Sequence, residues 1–351
     1  MTEPTTPSSG TRHRWATAGK IVVSAGLLGY LVFTGGVRDL STTVAHTNGT
    51  WLAVGFGFGV IGALVTISQW HAMLVASGLR RSWWRCFRLE WACDVFDAAL
   101  PSSIGGDVLR AVLVSEDPTE RVTAASSVVL RRLLNFPGMI VVMAAGLIAA
   151  WPYAVEGRIR PYAGAAILVG AAGVAVAFSP LAAKVGSSRL LARTGFTRSL
   201  AKVLRELDSF RGQTRAILTG CVRGTVFWLV VVLSQWSYMR AVGIHVPLVY
   251  AAAVITCVNA ITMLPISLGG YGVREGGFSA FLAVGGMATV AQGIGVGLCV
   301  TAQTMAFGLI GLPVYLTLSR RSARSRAVAI DTPPVTAGLP VTAGLPVRVG
   351  I

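Results

Sequence analysis

The chain has 351 residues, of which 54% are hydrophobic and only 13% charged, with a mean hydropathy of +0.67. A composition this apolar excludes an ordinary soluble protein and predicts an integral membrane protein. Thirty Lys and Arg against fourteen Asp and Glu give a formal charge of +16. These cations flank apolar segments and no nucleic-acid motif accompanies them, so no nucleic-acid partner is predicted.

The cysteines and histidines show no pattern of a disulfide framework or a metal site. The five cysteines lie in or beside apolar segments without a C-x-x-C spacing, which favours small buried side chains. The four histidines are scattered along the chain at positions 13, 46, 71 and 245. The sequence therefore predicts no metal, no cofactor and no catalytic residue.

The first part of the chain predicts a tail and two membrane spans. Residues 1–18 are rich in Thr, Pro and Ser and are predicted to be disordered. Residues 21–37 form a first apolar segment, and no signal-peptide cleavage site follows it, so we interpret it as a retained span. Residues 51–74 form a second span that is rich in glycine, as close helix contacts in membranes permit.

The next apolar stretch, residues 89–100, is interrupted by three carboxylates and ends at Pro101. Twelve residues of helix reach only about 18 Å, well short of a hydrocarbon core of about 30 Å. We therefore predict a half-helix that turns back at Gly105 and Gly106, forming a re-entrant hairpin.

A third span is predicted at residues 122–151. Its Arg131 and Arg132 either extend to the inner membrane surface or face the protein interior. A fourth span follows at residues 162–183. Residues 188–212 then predict a basic amphipathic helix, which either lies on the inner leaflet or packs on the bundle.

The second half repeats this order of elements. A span at residues 217–239 precedes an apolar stretch at 248–263, which meets a second break at Pro265. A return arm and a final span at residues 287–318 follow. Residues 320–351 are of low complexity and predict a disordered tail.

The distribution of Lys and Arg predicts the topology. These residues concentrate in the two tails and in the loops at 80–88 and 184–215, which the positive-inside rule assigns to the cytoplasm. Both termini are then cytoplasmic, in a multi-pass protein of the plasma membrane. The predicted fold is an all-α polytopic bundle of about six full spans plus two re-entrant hairpins.

The predicted topology makes the two halves an inverted repeat. The membrane domain spans residues 19–319, and its repeat units cover about 51–151 and 216–318. The two hairpins enter from opposite sides and meet near the midplane, as in transporters built from broken helices. The alternative, in which each broken segment crosses fully, keeps both breaks within the membrane.

The two breaks share a sequence. LPSSIGGDVLR at residues 100–110 and LPISLGGYGVR at 264–274 have the same Leu, Pro, Ser, Gly-Gly and Arg at a constant offset of 164 residues. A Gly-Gly break exposes the N-terminus of the return half-helix, whose free N–H groups and dipole favour an anion. The arginine that ends each copy adds a full positive charge, so the pair predicts a phosphate site.

The candidate substrate-binding residues follow from this doubled motif. Arg110 and Arg274 are predicted to hold a phosphate, with Asp107 or Glu275 orienting them or relaying a proton. Asp107 is close enough on one helix face to hold Arg110. Glu275 cannot face Arg274 on a helix, so we expect it to pair with Arg110 or Arg131, or to remain unpaired and carry a proton.

The other members of the candidate site have weaker signals. The backbone candidates are Gly105, Gly106, Gly269 and Gly270. Ser103 and Ser267 are equally consistent with helix-end residues and with ligand contacts. Tyr271 either stacks on a sugar or lies in the interfacial aromatic belt, and Arg131 is either an interfacial anchor or a site residue.

At these motifs the chain resembles a known family. The patterns P-x-S-x-G-G-D-x-x-R at 101–110 and L-P-x-S-L-G-G-x-G-x-R-E at 264–275 resemble the membrane domain of lysylphosphatidylglycerol synthases and the stand-alone flippase-like proteins related to it. The resemblance covers about residues 20–320. It implies movement of a lipid with its headgroup between leaflets. Lysyl transfer is not implied, because only a short low-complexity stretch follows the last predicted span.

The sequence thus predicts a flippase-like protein and not an enzyme. Its partners are membrane lipids, and its substrate is an anionic phospholipid or a polyprenyl-phosphate-linked sugar. Two alternatives stay open. A membrane-embedded transferase acting on lipid-phosphate sugars requires an acidic base near the outer surface, where the predicted loops offer only Asp39 and Glu156. The other alternative is a non-catalytic subunit of a cell-envelope synthesis complex.

Overall fold

A computed structural model describes residues 36–99, 104–150, 213–263 and 269–331, together with the isolated residues 26, 29, 30 and 33. Several predicted segments lie outside the described residues: the tail 1–18, the fourth span 162–183, the amphipathic helix 188–212 and the end of the C-terminal tail at 332–351. The first predicted span, 21–37, is described only in part.

The described residues form nine α-helices and no strand. The helices are α1 (Val37–Ala45), α2 (Gly49–Ala76), α3 (Trp83–Ala99), α4 (Ile104–Val114), α5 (Arg121–Ala149), α6 (Thr214–Ala241), α7 (Leu248–Thr262), α8 (Val273–Val284) and α9 (Val290–Asp331). A 3-10 turn, Pro118–Glu120, precedes α5. The predicted all-α class is confirmed.

Among the described residues, four helical segments are long and apolar enough to cross a membrane: Gly49–Ala76, Pro118–Ala149, Thr214–Ala241 and Val290–Leu318. They coincide with the spans predicted in the second, third, fifth and sixth places. A helix of 28 residues is about 42 Å long and exceeds the hydrocarbon thickness of about 30 Å. The protein is therefore a polytopic helical membrane bundle.

Between the long helices the chain forms two hairpins of short helices. Helices α3 and α4 are antiparallel, because Arg81 Nε before α3 donates to the Val114 carbonyl at the end of α4 over 3.1 Å. Helices α7 and α8 are antiparallel as well, since Tyr250 Oη donates to the Phe281 carbonyl over 3.4 Å. The order long, short, short, long therefore occurs twice, in α2–α5 and in α6–α9.

Proline and glycine account for the breaks inside the hairpins. Helix α3 ends at Ala99, two residues before Pro101, whose ring removes a backbone donor and disfavours helix in the preceding residue. In the second hairpin Gly270 and Gly272 have φ of 83° and 81°, and such left-handed angles reverse the chain before α8. The hairpin tips at 100–103 and 264–268 lie outside the described residues, and with them Ser103 and Ser267.

The long helices pack through small residues. Helices α2 and α6 are antiparallel, and Gln69 Nε2 of α2 donates to the Gly220 carbonyl of α6 over 2.9 Å. Helices α5 and α6 make backbone contact, because a Cβ at Gly138 would lie only 2.5 Å from the Thr225 nitrogen. Glycine at such positions allows the close approach that holds membrane helices together.

The last helix is longer than the sequence predicts. Helix α9 continues to Asp331, so residues 320–331 are helical, whereas the sequence predicts a disordered tail from residue 320. This stretch contains neither glycine nor proline, and its alanines and arginines favour helix.

Candidate functional site

The first hairpin carries a buried arginine surrounded by carboxylates. Arg110 on α4 is 3% exposed. Its Nε lies 3.0 Å from Glu90 Oε2, and its Nη2 lies 2.8 Å from Asp94 Oδ1. Its Nη1 lies 2.8 Å from Asp97 Oδ2 and 3.3 Å from Asp107 Oδ1. Three of these carboxylates come from α3, where a spacing of four and three residues puts them on one helix face.

Helix α5 adds two more arginines. Arg131 Nη1 lies 2.8 Å from Glu90 Oε1, and its guanidinium lies 5.8 Å from the ring centroid of Trp70. Arg132 Nε lies 2.5 Å from Asp107 Oδ2. Asp107 Oδ1 also lies 3.8 Å from Arg131 Nη2, so this carboxylate bridges arginines of α4 and α5.

We call these seven side chains the charged cluster: Glu90, Asp94, Asp97, Asp107, Arg110, Arg131 and Arg132. Its members differ in how far they are withdrawn from solvent. The side chains of Arg110 and Arg131 are 3% and 6% exposed, whereas that of Arg132 is 45% exposed. Arg132 is therefore the cation of the cluster that an incoming ligand reaches most easily.

The cluster changes the role predicted for Arg110. The predicted contact between Asp107 and Arg110 is confirmed at 3.3 Å. The anions around Arg110, however, are the chain's own carboxylates, and each of its three nitrogens already faces at least one. Asp97 also lies against Gly106 in the first turn of α4, next to the half-buried Gly105, where the sequence predicts a phosphate.

A cavity of about 340 Å³, the central cavity, lies between the charged cluster and the long helices α2, α6 and α9. One wall is ionic and consists of Glu90, Asp94, Asp97, Arg110, Arg131 and Arg132. A second wall is polar but neutral and includes Ser234, Gln235, Gln303 and Thr304. The remainder is apolar, with Phe58, Phe227, Val230, Val231 and Phe307.

The neutral wall is held in place by hydrogen bonds. Gln303 Oε1 accepts from Tyr238 Oη over 2.5 Å and from Ser234 Oγ over 3.3 Å. Gln235 Oε1 accepts from Asn259 Nδ2 over 3.0 Å. None of these wall residues is among the site residues predicted from the sequence, although glutamine inside a membrane span is a signal for a functional interior.

The second hairpin holds its arginine in a different setting. Arg274 Nη1 donates to Thr301 Oγ1 over 3.3 Å, and Nη2 donates to the Gly269 carbonyl over 3.5 Å. Arg274 forms no ion pair with the described part of the chain and does not line the central cavity. The described residues therefore do not bring Arg110 and Arg274 together at one phosphate site. Tyr271 is half-buried, with its ring against Gly269.

Glu275 has a partner other than the arginine predicted for it. Its Oε2 accepts from the Gly272 backbone nitrogen over 2.7 Å, so it caps the start of α8 as the glutamate of a capping box does, although Gly272 has no side chain to return the bond. Its Oε1 accepts from Thr301 Oγ1 over 2.9 Å. The expected pairing with Arg110 or Arg131 is wrong, because the carboxylate accepts instead from the Gly272 nitrogen before its own helix and from Thr301 of α9.

The described residues hold no group of three or more His, Cys, Asp and Glu side chains arranged to bind a metal ion. The four carboxylates nearest to one another face arginines. Their chemistry is therefore ion pairing with guanidinium groups.

Comparison with known families identifies the family of the chain. Residues 17–311 match the family described as the lysylphosphatidylglycerol synthase TM region. The chain belongs to this family. The match includes both hairpins, the charged cluster and the central cavity, and family membership supports a function related to membrane lipids. No curated protein matches the chain.

Proposed function

We propose that this member of the family moves the polar headgroup of an anionic lipid between the two leaflets of the membrane. The central cavity carries the proposal, because it offers ionic and hydrogen-bonding groups inside a bundle of membrane helices. A charged headgroup crosses hydrocarbon only at high cost, and a polar cavity lowers that cost. The substrate is a phospholipid or a polyprenyl-phosphate-linked sugar, and its acyl or prenyl chains stay in the bilayer.

Arg132 and Arg131 are the residues that take the phosphate in this proposal. Both line the cavity, and Arg132 is the more exposed. In the structure the Asp107 carboxylate faces the guanidinium groups of Arg131 and Arg132. It occupies the place that the phosphate of a ligand would take in exchange. Guanidinium groups bind phosphate with paired, charge-assisted hydrogen bonds, which favours such an exchange. Arg110 instead keeps the carboxylates of α3 together.

The two hairpins fit a re-entrant arrangement. Helix α4 has 11 residues and α8 has 12, so they extend about 16 Å and 18 Å, too short for a crossing. The first helices of the two halves, α2 and α6, are antiparallel. These observations support an inverted repeat with hairpins entering from opposite sides. Together with the distribution of Lys and Arg, they favour a protein of the plasma membrane whose two termini are cytoplasmic.

Reconstitution tests the proposal. Full-length protein in liposomes would be given fluorescent phosphatidylglycerol or a labelled polyprenyl phosphate, and the outer-leaflet label would be quenched over time. We expect wild-type protein to expose inner-leaflet lipid faster than protein-free liposomes do. We expect the double variant Arg131→Gln/Arg132→Gln to slow this lipid translocation at least about tenfold, since each lost charged hydrogen bond is worth about 1.5–3 kcal/mol.

A matched variant separates a specific effect from a general loss of cations. Arg215→Gln removes an exposed arginine of α6 that does not line the cavity, and we expect it to leave the rate unchanged. Translocation at the protein-free rate by wild-type protein, for every anionic lipid tested, would overturn the proposal. Accumulation of a glycosylated or aminoacylated lipid in the same vesicles would replace it with transferase activity.

A further inference from the structure

A second cavity, of about 480 Å³, lies at the end of the bundle where α2 begins and α6 ends. We call it the Arg240 cavity. The residues that line it include Arg240, His46, His245, Trp51 and Gln292. Trp51 is seven residues before Phe58 of the central cavity, so about 10 Å of helix separates the two cavities.

Within the described part of the chain, Arg240 is held by aromatic rings and not by a carboxylate. Its guanidinium lies 5.5 Å from the ring centroid of Trp51 and 5.7 Å from that of Trp236. The two indoles meet edge to face at 5.7 Å, and Trp236 Nε1 is fixed by the Val246 carbonyl at 3.1 Å. The rings thus fix the guanidinium in position, and no carboxylate of the described residues compensates its positive charge.

The donors of Arg240 have no acceptor within the ranges that the structure describes. Its side chain makes no hydrogen bond or ion pair there, and its Nε is buried without a partner. This differs from Arg110, whose nitrogens face four carboxylates. A buried guanidinium donor without an acceptor is costly, and an anionic ligand removes that cost.

The rest of the Arg240 cavity matches an anion. None of the described residues that line it carries a carboxylate, whereas two exposed histidines do line it. His245 Nδ1 lies 3.0 Å from the Gly243 carbonyl, which can only accept, so Nδ1 is a donor, and in the imidazolium form of the ring Nε2 donates to a phosphate oxygen.

We propose that the Arg240 cavity binds a phosphate group, carried by a lipid headgroup or present as inorganic phosphate, through Arg240 and the two histidines. This binding site goes beyond the proposed translocation, because its occupancy can be measured without any transport. If translocation also holds, the cavity is the place where the headgroup is received or released at this end of the bundle.

The four histidines of the chain allow a local test. Full-length protein with isotope-labelled histidine would be titrated in detergent with dioctanoyl phosphatidylglycerol, with inorganic phosphate, and with dioctanoylglycerol as the lipid that lacks phosphate. We expect phosphatidylglycerol to shift the imidazole signals of His46 and His245 saturably. The signal of His71, which contacts the Arg81 carbonyl at the other end of α2, should not move. Equal shifts with inorganic phosphate identify the free ion as a ligand, and no shift with it identifies the lipid.

Two variants connect these shifts to Arg240. Arg240→Gln should weaken the affinity about tenfold or more, the effect of one charged hydrogen bond, and Arg240→Lys should weaken it less. Arg38→Gln, an exposed arginine on α1 outside the cavity, should bind like wild type. Equal affinity in Arg240→Gln and wild type, or the same shifts with dioctanoylglycerol, would overturn this inference. The Arg131 and Arg132 variants test translocation separately, so either proposal can fail alone.

Discussion

Arg132 Nε lies 2.5 Å from Asp107 Oδ2, and this contact joins the long helix α5 to the start of the short helix α4. Asp107 is an intramolecular anion among arginines, and the corresponding position of the second hairpin is Tyr271. The two copies of the repeated motif are therefore chemically different. The first organises an ionic cluster at the central cavity, whereas the second leaves Arg274 with neutral partners.

Removing Arg110 should destabilise the protein severely. Arg110→Gln leaves buried carboxylates without their cation, which typically costs about 3–5 kcal/mol. Arg132→Gln, in the same cluster but 45% exposed, should cost less than about 1 kcal/mol. Thermal unfolding in detergent measures both, and adding Asp94→Asn to Arg110→Gln should recover part of the loss. An unfolding midpoint of Arg110→Gln equal to that of wild type contradicts this role.

Asp107→Asn should strengthen the binding of an anionic headgroup in the central cavity. The substitution removes the carboxylate that competes for Arg131 and Arg132, so affinity for dioctanoyl phosphatidylglycerol should rise about tenfold. The titration is made in an Arg240→Gln background, so that the Arg240 cavity contributes little. Asp39→Asn, an exposed residue of α1, serves as the control. Weaker binding by Asp107→Asn would show that the carboxylate holds the site together.

Glu275 should act as a helix cap and not as a proton carrier. Glu275→Gln keeps an acceptor for the Gly272 nitrogen, so stability and translocation should stay near wild type. Glu275→Ala removes the cap and should lower stability by about 1–2 kcal/mol. Thermal unfolding measures the stability of both variants, and the liposome assay measures their translocation rates. Loss of translocation in a stable Glu275→Gln variant would restore the proton-relay hypothesis.

The crossing of α5 and α6 should not tolerate a side chain at Gly138. A methyl group there would lie 2.5 Å from the Thr225 backbone nitrogen, so Gly138→Ala must separate the helices and should cost about 1–3 kcal/mol. Gly57→Ala in α2 meets nothing within 4 Å and should be neutral, or stabilising by up to about 1 kcal/mol. Unfolding midpoints of the two variants in the same detergent make the comparison. Equal midpoints would contradict backbone contact at this crossing.

The membrane class, the described long helices and the two breaks were predictable from the sequence. Hydropathy, the missing donor of Pro101 and the left-handed angles of glycines are local properties that need no knowledge of distant residues. The ion pair between Asp107 and Arg110 was predictable for the same reason, because the two residues are three apart on one helix.

Only the tertiary structure decided which partner each charged group has. The carboxylates at 90, 94 and 97 share a face of α3, but only the antiparallel packing of α4 brings Arg110 onto that face. The packing of α9 likewise brings Thr301 within hydrogen-bonding distance of Glu275 and places Gln303 opposite the charged cluster. The partner of a side chain depends on which helices are in contact and on their register. The spacing of residues along one segment predicts neither. The repeated motif by itself predicted two equivalent arginines, whereas packing made Arg110 the centre of a cluster and gave Arg274 hydrogen bonds to Thr301 and the Gly269 carbonyl.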